Sequence, residues 1–268
     1  MTHDTPFHDF TPGTLPLLIS IPHLGTEIPA ELQSDMADVA AVRQDTDWHL
    51  DRLYDFAQGM DASIIRPRVS RYVIDLNRPP DGQSLYPGQT TTSLCPTETF
   101  RGEPLYRLGR MPDAVEQARR VSVYWQPYHR QLRDELDRLQ ARHGAVVLWE
   151  AHSIASHLPR LFEGRLPDLN FGTADGRSCA PALINAVLDV ARTGPFSHVV
   201  NGRFKGGYIT RHYGAPQLGV HAIQLEMSQL LYMQEQAPFA YQPHLAEQLQ
   251  PLLRRMLEAS LHQLRALP

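Results

Sequence analysis

The sequence predicts a single α/β domain with a mixed, mostly parallel central sheet flanked by helices. Short apolar runs alternate along the chain with longer segments of helical period, which is the pattern of a sheet with helices on its faces. The chain has 268 residues, 42% of them hydrophobic, so it can bury a large core and lies near the upper size of one domain. We find no internal repeat or low-complexity tract, and we therefore expect one domain over residues 1–268.

Short apolar runs bounded by turn residues are the strand candidates. They are LPLLISIPH (15–23), ASIIRP (62–67), YVIDLN (72–77), AVVLWEAH (145–152), DLNFGT (168–173), SHVVN (197–201) and VHAIQLEMS (220–228).

Longer segments with apolar residues every three or four positions are the helix candidates. They run over Thr46–Met60, about Pro112–His143, Pro181–Arg192 and about Pro243–Leu264. Pro127 should kink the second of these or divide it into two helices. The stretch from 78 to 106 is rich in Pro, Gly and Thr and has no periodicity, which favours a functional loop.

Composition and charge exclude several classes of partner. The formal charge of −4 comes from well-mixed acids and bases, without the basic block that nucleic acid or an anionic membrane requires. Cys95 and Cys179 lie far apart, so we expect neither a disulfide scaffold nor a thiolate metal site, and a cytoplasmic location fits best. No run of 18 apolar residues occurs, and we expect neither export nor membrane insertion.

Polar residues gather at the ends of the predicted strands, where ligands bind in open α/β sheets. The strand-end residues are His23, Asn77, Arg78, Glu150, His152 and Glu226. Asp45 and Asp47 stand at the start of the predicted helix from Thr46, where the helix dipole favours carboxylates.

Two of these histidines and one carboxylate could hold a catalytic zinc ion. His23, Asp47 and His152 would leave a fourth position for water, whose pKa zinc lowers to roughly 7. Glu226 could accept the proton of that water, and Arg71 could stabilise the oxyanion that forms.

Other interpretations of the same residues remain open. Asp45 could ligate the metal or cap the helix, and Glu226 could be the buried partner of an arginine. Arg78 could pair with Asp75 or Asp81. Glu150 is better placed to support a histidine ligand than to bind metal itself.

Stretches that contain these residues resemble the N-formylglutamate amidohydrolases, the deformylases of bacterial histidine degradation. The resemblance covers nearly the whole chain. It is carried by LLISIPHLGTEIP, DTDWHLDRLYDF, SRYVIDLNRPPDGQSLYPGQTTTSLCPTETFRGEPLY, LWEAHSIASHLPRLFEGRLPDLNFGT, NGRFKGGYITRHYG and AIQLEMSQLLYM.

The resemblance implies metal-dependent hydrolysis of N-formyl-L-glutamate to formate and L-glutamate. It also implies a fold similar to that of zinc carboxypeptidases and aspartoacylases, the zinc-exopeptidase type. In those relatives an Asn-Arg pair holds a substrate carboxylate, and Asn77 and Arg78 match that pair. The relatives take their acidic ligand a few residues after the first histidine, where Glu27 stands; Asp47 is preferred because TDWH belongs to the family pattern.

The second carboxylate of such a substrate requires a second basic group. The stretch NGRFKGGYITRHYG supplies candidates in Arg203, Lys205, Arg211 and His212. Gly206 and Gly207 in the same stretch allow close backbone approach.

Two rival functions use the same residues. The first is hydrolysis of another short N-acyl acidic amino acid, and the second is binding of a dicarboxylate without catalysis. Zinc is the expected metal, although His and Asp ligands also suit iron, manganese or cobalt. The sequence does not determine the oligomeric state, and a monomer is compatible with it.

Overall fold

A computed structural model of the chain describes residues 7–83 and 91–267, so residues 84–90 of the predicted loop lie outside the described part. The strands are β1 (His8–Thr11), β2 (Leu17–Ser20), β3 (Ser63–Pro67), β4 (Val146–Ile154), β5 (Leu169–Gly172), β6 (His198–Val200) and β7 (Val220–Ser228). Within the described residues they form one seven-stranded sheet in the order β1-β3-β2-β4-β7-β5-β6.

The sheet is mixed and mostly parallel, as predicted. β4 lies parallel to β2 on one side and to β7 on the other, and β3 is parallel to β2. β6 is parallel to β5, while β1 and β5 run antiparallel to β3 and β7. The predicted fold class, a single α/β domain with helices flanking such a sheet, agrees with this architecture.

The α-helices are α1 (Ala30–Gln33), α2 (Leu50–Leu53), α3 (Phe56–Gly59), α4 (Ala114–Arg120), α5 (Gln126–His143), α6 (Pro181–Ala191), α7 (Tyr208–Tyr213) and α8 (Pro243–Arg265). Short 3₁₀ turns cover Asp38–Val42, Pro216–Leu218 and Gln229–Leu231, and one π-helical turn covers Val121–Trp125. Among the described residues no helix has the length and apolar character needed to cross a bilayer.

Helices cover both faces of the sheet because the central strands are apolar on both sides. On β4, Val147 and Trp149 point into a core that includes residues of α6 and α8. Val146 and Leu148 point into the opposite core, beneath α5. This alternation fixes which side chains of β4 and β7 share a face.

On the face beneath α5 the strands become polar towards their carboxyl ends. Val146 and Leu148 of β4 are followed on that face by Glu150 and His152. The parallel register places Gln224 beside Glu150 and Glu226 beside His152. The sheet therefore delivers four nearly buried polar side chains to one place.

The predicted strand over Tyr72–Asn77 is wrong. These residues are buried but form turns. Side chains of a helix, rather than the backbone of a neighbouring strand, donate hydrogen bonds to two of their carbonyl groups. Arg120 donates to the Val73 carbonyl at 2.9 Å, and His129 donates to the Leu76 carbonyl at 2.8 Å. Burial beneath the π-helical turn and α5 explains the apolar run that the sequence shows.

Two of the predicted helices are divided. The segment Thr46–Met60 contains only α2 and α3, and α2 begins after His49, whose φ of 62° is left-handed and interrupts the helix. The predicted helix over Pro112–His143 contains a π-helical turn between α4 and α5, and Pro127 lies in the first turn of α5, after that irregular turn. Neither β1 nor α7 was predicted from the sequence.

Acid sensitivity is expected from His129 in α5. Burial lowers the pKa of His129 from 6.5 to about 3, while its ring accepts a hydrogen bond from the Tyr213 hydroxyl at 2.9 Å. Since the unfolded chain binds this proton more readily than the folded chain, the stabilisation is full above the ordinary pKa and is lost as the pH falls. The free energy of unfolding should fall by roughly 2 kcal/mol from this group between pH 6.5 and 5.

His129→Gln keeps a donor for the Leu76 carbonyl but cannot titrate. Urea unfolding at several pH values should show a shallower loss of stability on acidification for the variant than for the wild type. Identical slopes for the two proteins would contradict the assignment.

Candidate active site

His23, Asp47 and His152 form a buried cluster at the carboxyl ends of the strands. His23 follows β2, His152 lies on β4, and Asp47 belongs to the turn before α2. One possible ligand atom from each residue lies within 4.8 Å of those of the other two. The structure thus brings together the three residues that the sequence proposed as metal ligands.

The two histidine rings present the same nitrogen to Asp47. Nδ1 of His152 lies 3.1 Å from Oδ2 of Asp47, and Nδ1 of His23 lies 3.7 Å from that oxygen. The ring centroids are 4.7 Å apart. Both Nδ1 atoms and the carboxylate therefore converge on one point.

A second carboxylate holds the other nitrogen of each ring. Nε2 of His23 lies 2.7 Å from Oδ1 of Asp75, and Nε2 of His152 lies 2.8 Å from Oε1 of Glu150. A proton on Nε2 that is donated to a carboxylate leaves the Nδ1 lone pair available to a cation.

These supporting carboxylates are themselves fixed. Asp75 accepts hydrogen bonds from Arg71 at 2.8 Å and from the backbone amide of Asn77 at 2.9 Å. Glu150 accepts hydrogen bonds from the backbone amide and the hydroxyl of Thr210, the third residue of α7. The ring orientations are thus set by groups on other elements of the fold.

The pKa shifts follow from burial opposed by close charges. Burial alone would raise the pKa of Asp47, but hydrogen bonds from His152 and His23 outweigh it and lower that pKa. Burial would likewise raise the pKa of Asp75, but the charges of His23 and Arg71 hold it well below its usual range. For His152, burial disfavours the charged form, yet the negative charge of Glu150 raises its pKa well above the ordinary value.

The cluster fits a divalent metal ion. Asp47 Oδ1 is buried and accepts no hydrogen bond from the described residues, so it has a lone pair available for a cation. Two imidazoles and one carboxylate are a common zinc-binding set. His23, Asp47 and His152 are each at least 95% buried, which shields such a site from solvent.

The alternative acidic ligands lie elsewhere. Glu27 is exposed, and its backbone pairs with the backbone of Val69. Asp45 is buried but outside the cluster, where its carboxylate accepts a hydrogen bond from the Phe100 amide at 2.8 Å. Burial raises the pKa of Asp45 to about 6.

Glu226 lies on β7, in register with His152 on β4. Its side chain lines the cleft above the cluster and is 8% exposed. Burial raises the pKa of Glu226 to about 8, and the negative charge of Asp47 adds to the increase. A carboxyl group with such a pKa can exchange a proton near neutral pH.

Arg71 provides a fixed positive charge beside the cluster. Its guanidinium donates to Asp75 at 2.8 Å, lies 3.7 Å from Oδ1 of Asp47 and covers the ring of Phe100 at 4.7 Å. It lines the cleft although it is 6% exposed. Such a cation can stabilise negative charge on a bound carbonyl oxygen.

The cleft above the cluster combines charged, polar and apolar side chains. Its empty space of about 630 Å³ includes the open solvent at its mouth. Its polar lining includes His23, Arg71, Asn77, Arg78, Thr92, His152, Ser153, Arg203, Gln224 and Glu226, and its apolar lining consists of Phe100, Ile154, Leu161 and Phe204.

Three of the predicted substrate-binding residues lie in this cleft. Arg78 donates to the carbonyl and hydroxyl oxygens of Thr92 at 3.0 and 3.2 Å, and its side chain stays 18% exposed. Arg203 donates to the Leu161 carbonyl at 2.8 Å. Asn77 uses its amide oxygen to accept a hydrogen bond from the Ile209 amide at 2.9 Å, which ties it to α7.

The other three predicted anchors do not line the cleft. Lys205 forms an ion pair with Asp175 at 3.1 Å. Arg211 donates to the Gly206 carbonyl at 2.8 Å, and His212 stacks on Tyr208 with ring centroids 4.8 Å apart.

Sequence reasoning missed Phe100, Thr92 and Gln224 as lining residues. Gln224 had a detectable signal, because the alternation of VHAIQLEMS places it on the same face as Glu226. Phe100 and Thr92 lie in the aperiodic stretch, which offers no such pattern.

The fold and the site together define a hydrolase of mixed α/β architecture. A family model described as N-formylglutamate amidohydrolase matches residues 15–233. The chain therefore belongs to the N-formylglutamate amidohydrolase family.

Curated relatives and a solved structure agree with this assignment. An N-formylglutamate deformylase of Pseudomonas aeruginosa (strain PAO1) is 51% identical over 94% of this chain and 95% of its own length. One of Pseudomonas putida is 49% identical over 94% of each chain. The crystal structure of an N-formylglutamate amidohydrolase from Ralstonia eutropha JMP134 is 23% identical, covers 98% of both chains with a TM-score of 0.81, and supports the fold.

Proposed function

We propose that this protein hydrolyses N-formyl-L-glutamate to formate and L-glutamate. The reaction would use a divalent metal ion bound by His23, Asp47 and His152, and zinc is the expected metal. The two deformylases that are about half identical to the chain support the substrate. The resemblance of the sequence to this family supports a place at the end of histidine degradation. The two cysteines, which lie far apart in sequence, favour a cytoplasmic location.

One observation carries the proposal: the metal-competent cluster, an acid on the adjacent strand and two further arginines share one cleft. His152 and Glu226 are in register on β4 and β7. Arg78 and Arg203 line the same cleft and match the two carboxylates of the substrate. A binding protein would need the arginines but not a buried cluster beside a titratable acid.

A metal ion at the cluster would lower the pKa of a water molecule and polarise the formyl oxygen. Glu226 would take the proton of the attacking water and pass it to the amide nitrogen, so that the C–N bond breaks into formate and a free amine. The pKa of Glu226 is about 8 without a metal ion, and added positive charge next to Asp47 would lower it towards neutral pH. Arg71 would stabilise negative charge on the formyl oxygen.

Arg78, together with Asn77, and Arg203 would hold the two carboxylates. Thr92 orients Arg78, and the Leu161 carbonyl orients Arg203, so both guanidinium groups are placed before the substrate binds. Lys205, Arg211 and His212 lie outside the cleft in this structure and take no part in the proposal.

Removal of the metal should abolish activity. Formate release from N-formyl-L-glutamate should disappear with a chelator and return with added zinc. His23→Ala and His152→Ala should lose both bound metal and turnover, whereas His143→Ala, at an exposed histidine, should keep both. A His23 or His152 variant with a full complement of metal would contradict the ligand assignment. Turnover of N-acetyl-L-glutamate at a similar rate would favour a broader acylase.

Glu226→Gln should separate metal binding from catalysis. The variant should bind metal and L-glutamate almost normally, but its kcat should fall by roughly 10²–10⁴ because the general base is lost. Glu258→Gln, at a surface ion pair with Arg254, is the control and should keep wild-type kcat. Near-normal turnover of Glu226→Gln would show that another acid is the general base, and Asp45 would be the first residue to test.

Arg78→Ala should weaken substrate binding without loss of metal. Removal of the bidentate partner of a carboxylate should cost roughly 2–5 kcal/mol, and Arg78→Lys should restore only part of it. Binding constants for L-glutamate and metal analysis would measure both effects. N-formylglycine, which lacks the side-chain carboxylate, should be affected by Arg78→Ala only if Arg78 holds the α-carboxylate. If Arg78→Ala changes neither the affinity for L-glutamate nor the turnover of N-formylglycine, the assignment of Asn77 and Arg78 to a substrate carboxylate is contradicted.

A further inference from the structure

Gln224 is a nearly buried side chain of the cleft that the mechanism above does not use. It lies on β7 two residues before Glu226, on the same face, and is 3% exposed. Two residues of strand span about 6.6 Å, so Gln224 lies one pleat further from the carboxyl edge than the proposed base.

One hydrogen bond fixes the orientation of the Gln224 amide. Its Oε1 accepts the backbone N–H of Gly207 at 2.7 Å. Since a backbone N–H can only donate, the oxygen must face Gly207 and Nε2 must face the other way.

Only glycine allows this contact. A Cβ at position 207 would lie 2.2 Å from Nδ2 of Asn77, and Gly206 has a φ of +110°. A Cβ on Gly172 of β5 would lie 2.5 Å from the Gly206 amide. The glycine pair of the FKGGY stretch thus serves to bring the Gly207 amide against Gln224.

The two N–H groups on Nε2 of Gln224 donate to none of the described residues, and Nε2 is not among their fully buried unpaired atoms, so it is accessible from the cleft that Gln224 lines. A donor that no protein group uses at the wall of a cleft is available to a ligand. The partner must be an acceptor, and the arginines Arg78 and Arg203 in the same cleft favour an anionic one. The carboxylates of N-formylglutamate lie several bonds from the formyl carbon, which matches a donor one pleat away from the base.

We propose that Gln224 is a specificity-determining residue, whose Nε2 donates a hydrogen bond to one carboxylate of the bound substrate. This inference rests on the proposed function for the identity of the substrate. It adds a neutral, rigidly oriented donor to the arginines, which supply charge.

The test compares two variants on three substrates. Gln224→Met removes donor and acceptor at similar volume, and Gln224→Glu keeps an oxygen for the Gly207 amide but removes the donors. The substrates are N-formyl-L-glutamate, N-formylglycine, which lacks the side-chain carboxylate, and 4-formamidobutanoate, which lacks the α-carboxylate.

Both variants should lower kcat/KM for N-formyl-L-glutamate roughly 10- to 100-fold, the effect of losing a hydrogen bond to a charged group. For Gln224→Met, kcat/KM should also fall with the truncated substrate that keeps the carboxylate bound by Gln224. With the truncated substrate that lacks this carboxylate, kcat/KM should equal that of the wild type. Equal losses on all three substrates, or no loss on the full one, would overturn the proposal. So would near-wild-type activity of Gln224→Glu, because the residue would then serve only to hold Gly207.

Calorimetry with L-glutamate separates this proposal from the proposed function. If the wild type releases no formate from N-formyl-L-glutamate, the proposed function fails, but the effect of both variants on L-glutamate affinity still decides the role of Gln224. A dissociation constant raised at least roughly tenfold supports the proposal. An unchanged constant, or a wild type that does not bind L-glutamate, overturns it.

Discussion

The site depends on the compensation of buried negative charge. Asp47, Asp75 and Glu150 are each at most 1% exposed, and an uncompensated buried carboxylate would be strongly destabilising. Asp75 is compensated by His23 and Arg71. Asp47 is compensated by His152 and His23, and Glu150 by His152, whose pKa Glu150 and Asp47 raise. The same excess of negative charge contributes to the high pKa of Glu226. A divalent cation between the two Nδ1 atoms and Asp47 would satisfy this requirement directly.

Most of the sheet could be predicted because its central strands are buried on both faces. β2, β3, β5, β6 and β7 fall inside the predicted apolar runs, and β4 extends two residues beyond its run, to Ile154. The run over Tyr72–Asn77 has the same composition but no strand neighbour, and its carbonyls are bonded by side chains from a helix about fifty residues away in sequence. A hydrophobic run indicates that a segment is buried, but not which groups form hydrogen bonds with its backbone. The sequence therefore could not distinguish this buried turn from a strand. β1 was missed because it is a short edge strand with mixed polar residues.

The part of the site carried by strand ends was predictable, and the part carried by loops was only partly so. His152 and Glu226 follow from the rule that ligands bind at the carboxyl ends of strands, and both lie in the cleft. Asp47 was placed at a helix start that does not exist, yet it lies in the cluster. In the basic stretch the residue type was visible but the direction of each side chain was not. Lys205, for example, is drawn to Asp175, thirty residues earlier in the chain.

The π-helical turn before α5 sets the rotation of three helical side chains that donate hydrogen bonds to the backbone of residues 73–78. Arg120, Trp125 and His129 donate to the carbonyls of Val73, Arg78 and Leu76, so three donors on one helical segment hold the turn that presents Arg78. Each residue of an α-helix rotates by about 100°, and the wider π turn absorbs one extra residue between Arg120 and Trp125. A one-residue deletion there would restore a regular helix but rotate the indole away from Arg78. Insertions and deletions in this stretch are therefore constrained by hydrogen bonding across the cleft wall, even where the helix surface itself would tolerate them.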